Sequence, residues 1–261
     1  MNIDFPIMID SPSESHIPLL RQLWQEAFHD NDAFLNLFFK TAFDPQRCRC
    51  VTNSHTRELL AALYWFDCQY MDKPIAYIYG VATAEAYQGH GICSKLLQDT
   101  HIHLTNLGYE GTILVPGSER LFQFYQKNGY QYGSNIRELH CQADLEELTL
   151  IPIDKTEYAR LRKRLLPTGS VIQEKENLDF LETQVTFYMG LGFLLAAYSN
   201  KDTLYGTEFL GDISSAPAIL HTLGYEKGTF RTPGCGRPFT MYHPLGNTAL
   251  SIPNYFGFAF D

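Results

Sequence analysis

Apolar residues in the first half of the chain change between a helical and a strand-like spacing. Ile17, Leu20, Trp24 and Phe28 recur every three or four residues behind a serine-rich start, which predicts a helix over "SESHIPLLRQLWQEAF". The segment "NDAFLNLFFKTAF" predicts a second helix after an Asn-Asp start. The runs "RCRCVTN", "ELLAALYWFDCQY" and "IAYIYGVAT" are separated by polar turns, and we expect three strands there.

The third of these strands is apolar on both faces, as expected of a central strand that is covered on two sides. Strict alternation would point one set of its side chains to the same face, namely Tyr77, Tyr79, Val81 and Thr83. A helix is then expected from about Gly91 to Asn106. The strand "GTILVP" follows, and Pro116 ends it because proline has no N–H to donate to a neighbouring strand.

The segment "SERLFQFYQKNGY" predicts one more helix, with Gly129 suited to a left-handed cap at its end. Four residues share one predicted face of this helix: Leu121, Phe124, Tyr125 and Asn128. The order of elements is helix, helix, three strands, helix, strand, helix. This order predicts an α/β fold in which helices cover a mixed sheet.

The pattern changes near "LTLIPIDKTEYARLRKRLLP", where a short strand or linker precedes a basic helix closed by Pro167. Further strands are predicted at "GFLLAAYS", "TLYGTEFL" and "FTMYHPL", around the helix "APAILHTLGY". We interpret residues 1–145 and 146–261 as two domains, of which the second is a smaller α/β domain. Because "AILHTLGY" is similar to "LFQFYQKNGY", one hypothesis is that the second domain is a diverged copy of the first.

Charge and composition narrow the range of functions. The net charge of −9 argues against a nucleic-acid surface, which should be basic, and mildly favours a cationic partner. The acidic amino terminus lacks the features of a signal peptide and the longest apolar runs are too short to span a bilayer, so we expect a cytoplasmic protein without membrane contact. The six scattered cysteines form no C-x-x-C pair; we expect free thiols and predict no metal site.

The stretch "YQGHGICSKL" places Gly89 and Gly91 between the third strand and the helix that follows it. Glycines at such a turn let backbone amides approach an anion, and the helix start adds roughly half a positive charge. Two well-known phosphate loops do not fit. A dinucleotide-binding loop needs a third glycine, where this chain has Ser94, and a P-loop needs a glycine directly before Lys95.

A third pattern fits. The segment "QGHGIC" resembles the Q/R-x-x-G-x-G/A signature of the GNAT superfamily of N-acetyltransferases, which holds the diphosphate of acetyl-coenzyme A. The resemblance implies that the residues binding the diphosphate are Gln88, Gly89, His90, Gly91, Ile92 and Cys93. Cys93 departs from the family's Gly or Ala. The flanking "YIYGVAT" and "TILVPGSERLFQFYQKNGY" are similar to the family's fourth strand and to its next strand and helix, so the resemblance extends from about Leu19 to Tyr132.

The resemblance implies a two-domain bacterial member with the GNAT acyl-coenzyme A fold in its amino-terminal half. The pantetheine arm of the coenzyme would lie along Val81, Ala82 and Thr83, in a wedge where this strand splays from the "TILV" strand, and Pro116 suits that gap. The implied reaction moves an acetyl group from acetyl-coenzyme A to a primary amine of a small molecule or peptide by direct attack in a ternary complex. A polyamine, an aminoglycoside and a lysine side chain all stay open as acceptors.

The resemblance also implies an acid. Tyr125 occupies the position of the general acid that protonates the departing thiolate. Because an ordinary tyrosine has a pKa of ~10 and a thiol one of ~8.5, Tyr125 would need a lowered pKa or would act by hydrogen bonding. The base is left open among Glu85, Glu119, a water chain and the terminal carboxylate of Asp261. The last of these follows from a resemblance to two-domain members of the enhanced-intracellular-survival type.

Three alternatives stay open. A non-catalytic acyl-coenzyme A sensor or partner module would keep the fold without the transfer. A related enzyme would use a longer acyl group or an aminoacyl donor, which the size of the pocket around Tyr77, Tyr79 and Phe124 would decide. In the third alternative, the second domain has no part in the chemistry and only widens a dimer interface. A homodimer is therefore also left open.

Overall fold

The computed structural model of the protein describes residues 5–247 and 250–260, which form two compact units. The first unit takes its described residues from the segments 1–68, 73–131 and 242–250, and the second from 69–72, 132–241 and 251–261. The two units therefore interleave along the chain. The division at residues 145 and 146 stays a prediction about independently folding domains.

The elements have the following bounds. The strands are β1 (Ile7–Asp10), β2 (Cys48–Asn53), β3 (Leu59–Tyr70), β4 (Lys73–Thr83), β5 (Gly111–Leu114), β6 (Gln131–Tyr132), β7 (Asn135–Gln142), β8 (Ile151–Ile153), β9 (Ile172–Gln173), β10 (Thr186–Gly190), β11 (Phe193–Asn200), β12 (Thr203–Gly211), β13 (Lys227–Pro233), β14 (Arg237–Pro238) and β15 (Met241–Pro244). The helices are α1 (Ile17–Phe28), α2 (Asp32–Thr41), α3 (Ile92–Asn106), α4 (Glu119–Lys127), α5 (Lys155–Leu165), α6 (Glu176–Leu181) and α7 (Ala216–Leu223).

The sheet of the first unit has the strand order β1-β2-β3-β4-β5-β15. Neighbours β1, β2 and β3 pair antiparallel, whereas β4 and β5 are parallel and α3 connects them. The predicted α/β architecture with a mixed sheet is confirmed. Strand β1 was not predicted, because a four-residue edge strand is too short to show a clear alternation. The segment "FTMYHPL" was predicted to lie in the second domain, whereas β15 lies beside β5 in the first sheet.

Strand β3 forms the centre of the first unit, and the residues from Leu59 to Phe66 are buried. Adjacent side chains of this strand point to opposite faces. Tyr64 meets Trp24 of α1 at a ring-centroid distance of 5.3 Å, and Trp65 meets His103 of α3 at 6.1 Å. Helices therefore cover both faces of the sheet, which explains the near-continuous apolar sequence of its central strands.

The sheet of the second unit has the strand order β14-β7-β13-β12-β11-β10-β8. Strands β12 and β13 are parallel and α7 connects them, so they repeat the β4-α3-β5 arrangement of the first unit. The apolar core on the α7 side contains Leu195, Leu204, Ile219 and Phe230. The repeated strand-helix-strand arrangement supports the hypothesis of a diverged copy.

A buried ion pair lies at the centre of the second unit. Arg162 of α5 donates from Nε and Nη2 to the Glu208 carboxylate of β12 at 2.7 and 2.9 Å. The hydroxyls of Tyr158 and Tyr255 donate to the same carboxylate at 2.8 and 3.1 Å. Each carboxylate oxygen thus accepts two hydrogen bonds, which offsets the cost of burying the charge.

The segment from Asn254 to Phe260 packs against this ion pair within the second unit. The Phe258 backbone exchanges two hydrogen bonds with the Gln173 side chain, at 2.9 and 3.0 Å. The Arg162 guanidinium lies 4.3 Å from the centroid of the Phe258 ring. A Cβ at Gly257 would overlap the Glu208 carboxylate, so only glycine fits where the chain passes the ion pair. Asp261, one of the candidate bases, lies outside the described residues.

We expect Glu208→Gln to lower the free energy of unfolding by roughly 3–5 kcal/mol, because it leaves the Arg162 charge buried without its counter-ion. Urea denaturation followed by circular dichroism measures this change. The matched control is Glu157→Gln, which removes a carboxylate from an exposed i,i+3 pair with Arg160 and should leave stability essentially unchanged. Equal effects of the two substitutions would contradict the structural role of the buried pair.

Candidate active site

Strands β4 and β5 separate after a short paired region. Their register runs from Ile75 opposite Gly111 to Tyr77 opposite Ile113. Strand β5 ends at Leu114, whereas β4 continues to Thr83. The last six residues of β4 therefore lie beyond the paired region and border a gap in the sheet.

Gly80 introduces an irregularity into β4 just where this gap opens. Its φ of +57° lies in the left-handed region, and a Cβ there would come within 2.7 Å of the Trp24 ring and 2.9 Å of the Tyr64 ring. Only glycine satisfies both the backbone angle and the available space. The alternation predicted for this strand is consequently wrong for Thr83, whose side chain lies beside Cys93 of α3.

Backbone groups at the end of β4 face alternately toward β3 and toward the gap. The Ala84 amide donates to Leu60 O of β3 at 2.9 Å. Because backbone groups of successive strand residues point to opposite sides, Ala82 also faces β3, whereas Val81 and Thr83 face the gap. The Thr83 carbonyl accepts a hydrogen bond from Gln88 Nε2 at 3.1 Å, which ties the following loop to the strand.

The loop between β4 and α3 adopts a conformation that depends on its glycines. Gly89 and Gly91 have φ angles of +76° and +78°, and a Cβ on either would meet no atom within 4 Å. The backbone angle, not crowding, requires glycine here, and the space beyond both residues is open. The His90 ring hydrogen-bonds through Nδ1 to Gln88 O at 2.8 Å, so this side chain is engaged within the loop.

The start of α3 presents backbone amides without intrahelical acceptors. The first backbone bond into the helix runs from the Lys95 amide to Gly91 O at 3.1 Å, so the amides of Ile92, Cys93 and Ser94 precede it. Among the described residues, no side chain caps this helix start. The Ile92 side chain is buried in the core, while its amide belongs to this first turn. These amides and the helix dipole favour an anion.

The Cys93 side chain turns into the fold. Burial raises the pKa of its thiol to about 12, despite a contact with Thr83 that lowers it. Cys93 replaces the Gly or Ala of the sequence signature. Its amide still lies in the first turn of α3, and its sulfur lies beside Thr83 and Tyr125. Within the described chain, the buried Thr83 hydroxyl oxygen has no hydrogen-bond partner of good geometry, although the Cys93 thiol lies beside it.

Tyr125 is buried on α4, with its ring 5.5 Å from that of Tyr130. Burial raises the pKa of its hydroxyl well above the usual value, and the neighbouring Cys93 and Tyr130 raise it further. The lowered pKa considered from the sequence is therefore wrong. The predicted face of α4 also needs correction, because Phe122 is buried with Tyr125 whereas Leu121 is exposed.

A polar network supports the Tyr130 ring that packs on Tyr125. The Tyr130 hydroxyl lies 3.0 Å from both Thr112 Oγ1 and His101 Nε2. The His101 ring stacks on His243 of β15 at 4.2 Å. Burial, together with His243, lowers the pKa of His101 to about 3, so its imidazole is neutral at physiological pH. This network was not predicted from the sequence, because its members come from α3, β5, the loop after α4 and β15.

The candidate bases lie at different places in the first unit. Glu85 is exposed, and its backbone amide donates to Glu26 Oε1 of α1 at 2.6 Å. Glu26 is therefore a further carboxylate near the end of β4. Its place in the helical sequence pattern gave no reason to predict it as a functional residue. Glu119 is exposed in the first turn of α4. Among the described residues, no cluster of three or more metal-binding side chains occurs.

Comparison with known proteins agrees with this geometry. Residues 8–133 match the family described as "Acetyltransferase (GNAT) domain". This segment contains the β4–β5 gap, the glycine loop and Tyr125. The amino-terminal part of the chain therefore contains a GNAT acetyltransferase domain, as the sequence signature predicted. No curated protein sequence matches the chain.

Solved structures share the fold over most of the chain. A GCN5-related N-acetyltransferase from Anabaena variabilis superposes with a TM-score of 0.74 at 16% identity, covering 91% of this chain and 72% of the other. One from Kribbella flavida gives 0.69 at 14%, covering 91% and 70%. A putative acetyltransferase from Pyrococcus horikoshii gives 0.65 at 12%, covering 94% and 92%. Identities this low show a common fold. In the described part of this chain, every helix is too short or too polar to cross a membrane.

We expect the Cys93 thiol to react slowly with iodoacetamide at pH 8, because a pKa of about 12 leaves little thiolate. Its rate should rise roughly ten-fold per pH unit up to about pH 11, since the thiolate fraction does so below the pKa. Peptide mapping by mass spectrometry measures the rate. Cys235, which is exposed, is the internal reference and should be labelled first. Labelling of both at one rate would contradict the inward orientation of Cys93.

Proposed function

We propose that the protein is an acyl-coenzyme A-dependent N-acyltransferase that moves an acetyl group from acetyl-coenzyme A to a primary amine. The acceptor is a small molecule or a peptide, and its amine attacks directly in a ternary complex. The observation that carries this proposal is the open turn at Gly89 and Gly91, with unbonded amides at the start of α3, beside a gap in the sheet.

The amides of the loop and of the first turn of α3 are suited to a diphosphate. Gln88, Gly89, His90 and Gly91 supply a bend with open space beyond it, and Ile92 and Cys93 begin the helix. Each charge-assisted amide bond contributes roughly 1.5–3 kcal/mol, so several such bonds would dominate coenzyme affinity. The inward sulfur of Cys93 does not compete with this role.

The gap beside β4 is suited to an extended amide-containing arm. Backbone groups of Val81 and Thr83 face the gap and would pair with the pantetheine amides as a neighbouring strand does. The Ala82 backbone faces β3 and holds the strand in place. The buried Thr83 hydroxyl, which has no partner of good geometry among the described residues, adds one polar group for the same ligand.

The acceptor amine must lose a proton before it can attack. An amine with a pKa of ~10.4 is protonated at neutral pH, and deprotonating it costs about 4–5 kcal/mol. Glu26 and Glu85 are carboxylates close to the end of β4, where a water chain could pass the proton to solvent. Glu119 and the carboxylate of Asp261 stay the other candidate bases.

Tyr125 would act on the departing sulfur by hydrogen bonding. Its raised pKa makes it a poor acid in isolation. The same burial raises the pKa of the neighbouring Cys93 thiol to about 12, so a thiolate formed in these surroundings is also a stronger base. Burial thus makes the Tyr125 hydroxyl a weaker acid and the departing thiolate a stronger base. The two effects offset each other, so Tyr125 can still donate a hydrogen bond to the thiolate.

A loop substitution tests coenzyme binding. Gly89→Asp and Gly89→Asn both tolerate the left-handed backbone conformation and differ by one charge. We expect the Asp variant to bind coenzyme A at least ten-fold more weakly than the Asn variant in isothermal titration calorimetry, because its carboxylate repels the diphosphate. Equal affinities, or no heat of binding with the parent protein, would refute the diphosphate site.

We expect Tyr125→Phe to lower turnover at least ten-fold while coenzyme A affinity stays within two-fold of the parent, because the hydroxyl acts only on the leaving sulfur. Thiol release from acetyl-coenzyme A with a panel of primary amines measures turnover. Tyr188→Phe, in β10 of the other sheet, is the control for loss of a hydroxyl. Unchanged turnover would remove Tyr125 from the mechanism.

The same assays separate the second candidate function, a non-catalytic acyl-coenzyme A binder. The exposed positions of Glu85 and Glu119, the described candidate bases, favour this candidate. A pure binder would give heat with coenzyme A and no thiol release with any amine. Longer acyl donors in the same assay test the acyl-chain preference, and size-exclusion chromatography tests whether the protein forms the homodimer that the sequence left open. The cytoplasmic location and bacterial origin stay predictions.

A further inference from the structure

Two neighbouring tyrosines of the first unit differ in what holds their hydroxyls. The Tyr130 hydroxyl lies 3.0 Å from Thr112 Oγ1 of β5 and 3.0 Å from His101 Nε2 of α3. Within the described chain, no hydrogen bond holds the Tyr125 hydroxyl, whose surroundings include the Cys93 thiol and Tyr130. The polar contacts of this region thus restrain Tyr130 rather than Tyr125.

The direction of these hydrogen bonds follows from the burial of Tyr130. Its side chain is 3% exposed, and a buried hydroxyl needs an acceptor for its proton. The Thr112 hydroxyl donates to the Tyr130 oxygen, so the Tyr130 proton goes to the unprotonated Nε2 of His101. Burial and the adjacent His243 lower the pKa of His101 to about 3, so its ring is neutral and carries its proton on Nδ1.

Tyr130 is joined to Tyr125 through the end of α4. The Tyr130 amide donates to Tyr125 O at 3.0 Å, and the two rings meet at 5.5 Å with an angle of 67° between their planes. This is an edge-to-face contact, an arrangement that aromatic rings favour. A displacement of Tyr130 would therefore move the last turn of α4 and the ring of Tyr125 with it.

Strand β15 adds a second clamp on the loop that follows α4. His243 donates from Nδ1 to Gly129 O at 2.8 Å, and its ring stacks on that of His101 at 4.2 Å with 12° between the planes. Gly129 has a φ of +87°, and a Cβ there would lie 3.0 Å from the His243 ring. Three elements, α3, β5 and β15, thus hold the loop that contains Tyr130.

We propose that Tyr130 and His101 are positioning residues for the acyl transfer, because the hydrogen bond between their side chains holds Tyr125 where its hydroxyl reaches the departing sulfur. Without that bond the buried Tyr130 hydroxyl would need another acceptor, and its ring would shift against Tyr125. The inference rests on the function proposed above, since it concerns the same reaction. Both residues act through Tyr125.

The first experiment measures thiol release from acetyl-coenzyme A with the primary amine that the parent protein uses best. Tyr130→Phe keeps the ring and removes the hydroxyl, and His101→Leu removes the acceptor. We expect each to lower kcat at least five-fold while KM for acetyl-coenzyme A stays within two-fold, since the glycine loop is untouched. His101→Gln, whose side-chain oxygen can accept the same bond, should recover most of the activity that His101→Leu loses. Tyr188→Phe is the control for loss of a hydroxyl.

A double variant separates positioning from general damage to the fold. If Tyr130 acts through Tyr125, Tyr130→Phe should change kcat less than two-fold in a protein that already carries Tyr125→Phe. A loss of undiminished size in that background, or parent-like kcat in both Tyr130→Phe and His101→Leu, would overturn the positioning role and leave the proposed function standing. No thiol release by the parent with any amine would refute the proposed function, and the positioning role with it.

The second experiment needs no turnover, and it decides even if Tyr130→Phe does not fold. Long-range ¹H–¹⁵N NMR of the parent protein reports which ring nitrogen of each histidine carries a proton, and the spectrum of His101→Gln assigns the signal of His101. We expect His101 to be neutral with its proton on Nδ1 at pH 8 and still at pH 5. A proton on Nε2, or a doubly protonated ring at pH 5, would overturn the proposal.

Discussion

The early end of the pairing between β4 and β5 is the constraint on which the candidate active site depends. A parallel pair normally satisfies the backbone groups of both strands, but β5 ends at Leu114 while β4 continues to Thr83. The groups that face the gap must find another partner, because a buried amide or carbonyl without a hydrogen bond is costly. The glycine loop continues directly from this strand end. One ligand that is extended at one end and doubly charged at the other would satisfy both features.

Much of this arrangement could be predicted from the sequence, because its main features have local causes. The turn needs positive φ angles at Gly89 and Gly91, and glycine is the residue that adopts them without strain. Pro116 marks the end of pairing beyond β5 because it lacks an N–H. The strands and helices of the first unit have clear periods, and their predicted order matched the structure apart from β1 and β15.

The remaining features depend on residues that are distant in sequence. The pKa of Tyr125 is set by its burial beside Cys93 and Tyr130, and periodicity carries no information about that. In the sequence, Gly80 resembles an ordinary strand glycine. The requirement for glycine comes from the Trp24 ring of α1, which packs against it in the fold. The place of β15 next to β5 was also unpredictable, since more than a hundred residues of the second unit lie between the two strands.

The passage of Gly257 past the Arg162–Glu208 pair has a consequence for synthesis on the ribosome. The ribosome synthesises α5 and β12 long before residues 254–260. Tyr255, however, donates a hydrogen bond to the ion pair and the Phe258 ring packs on it. Until then, two charges would have to stay hydrated and the surrounding core would stay open to water. Folding of this unit is therefore held back until translation has passed Phe260, and a frameshift or nonsense codon shortly before it would produce a chain that chaperones and proteases recognise.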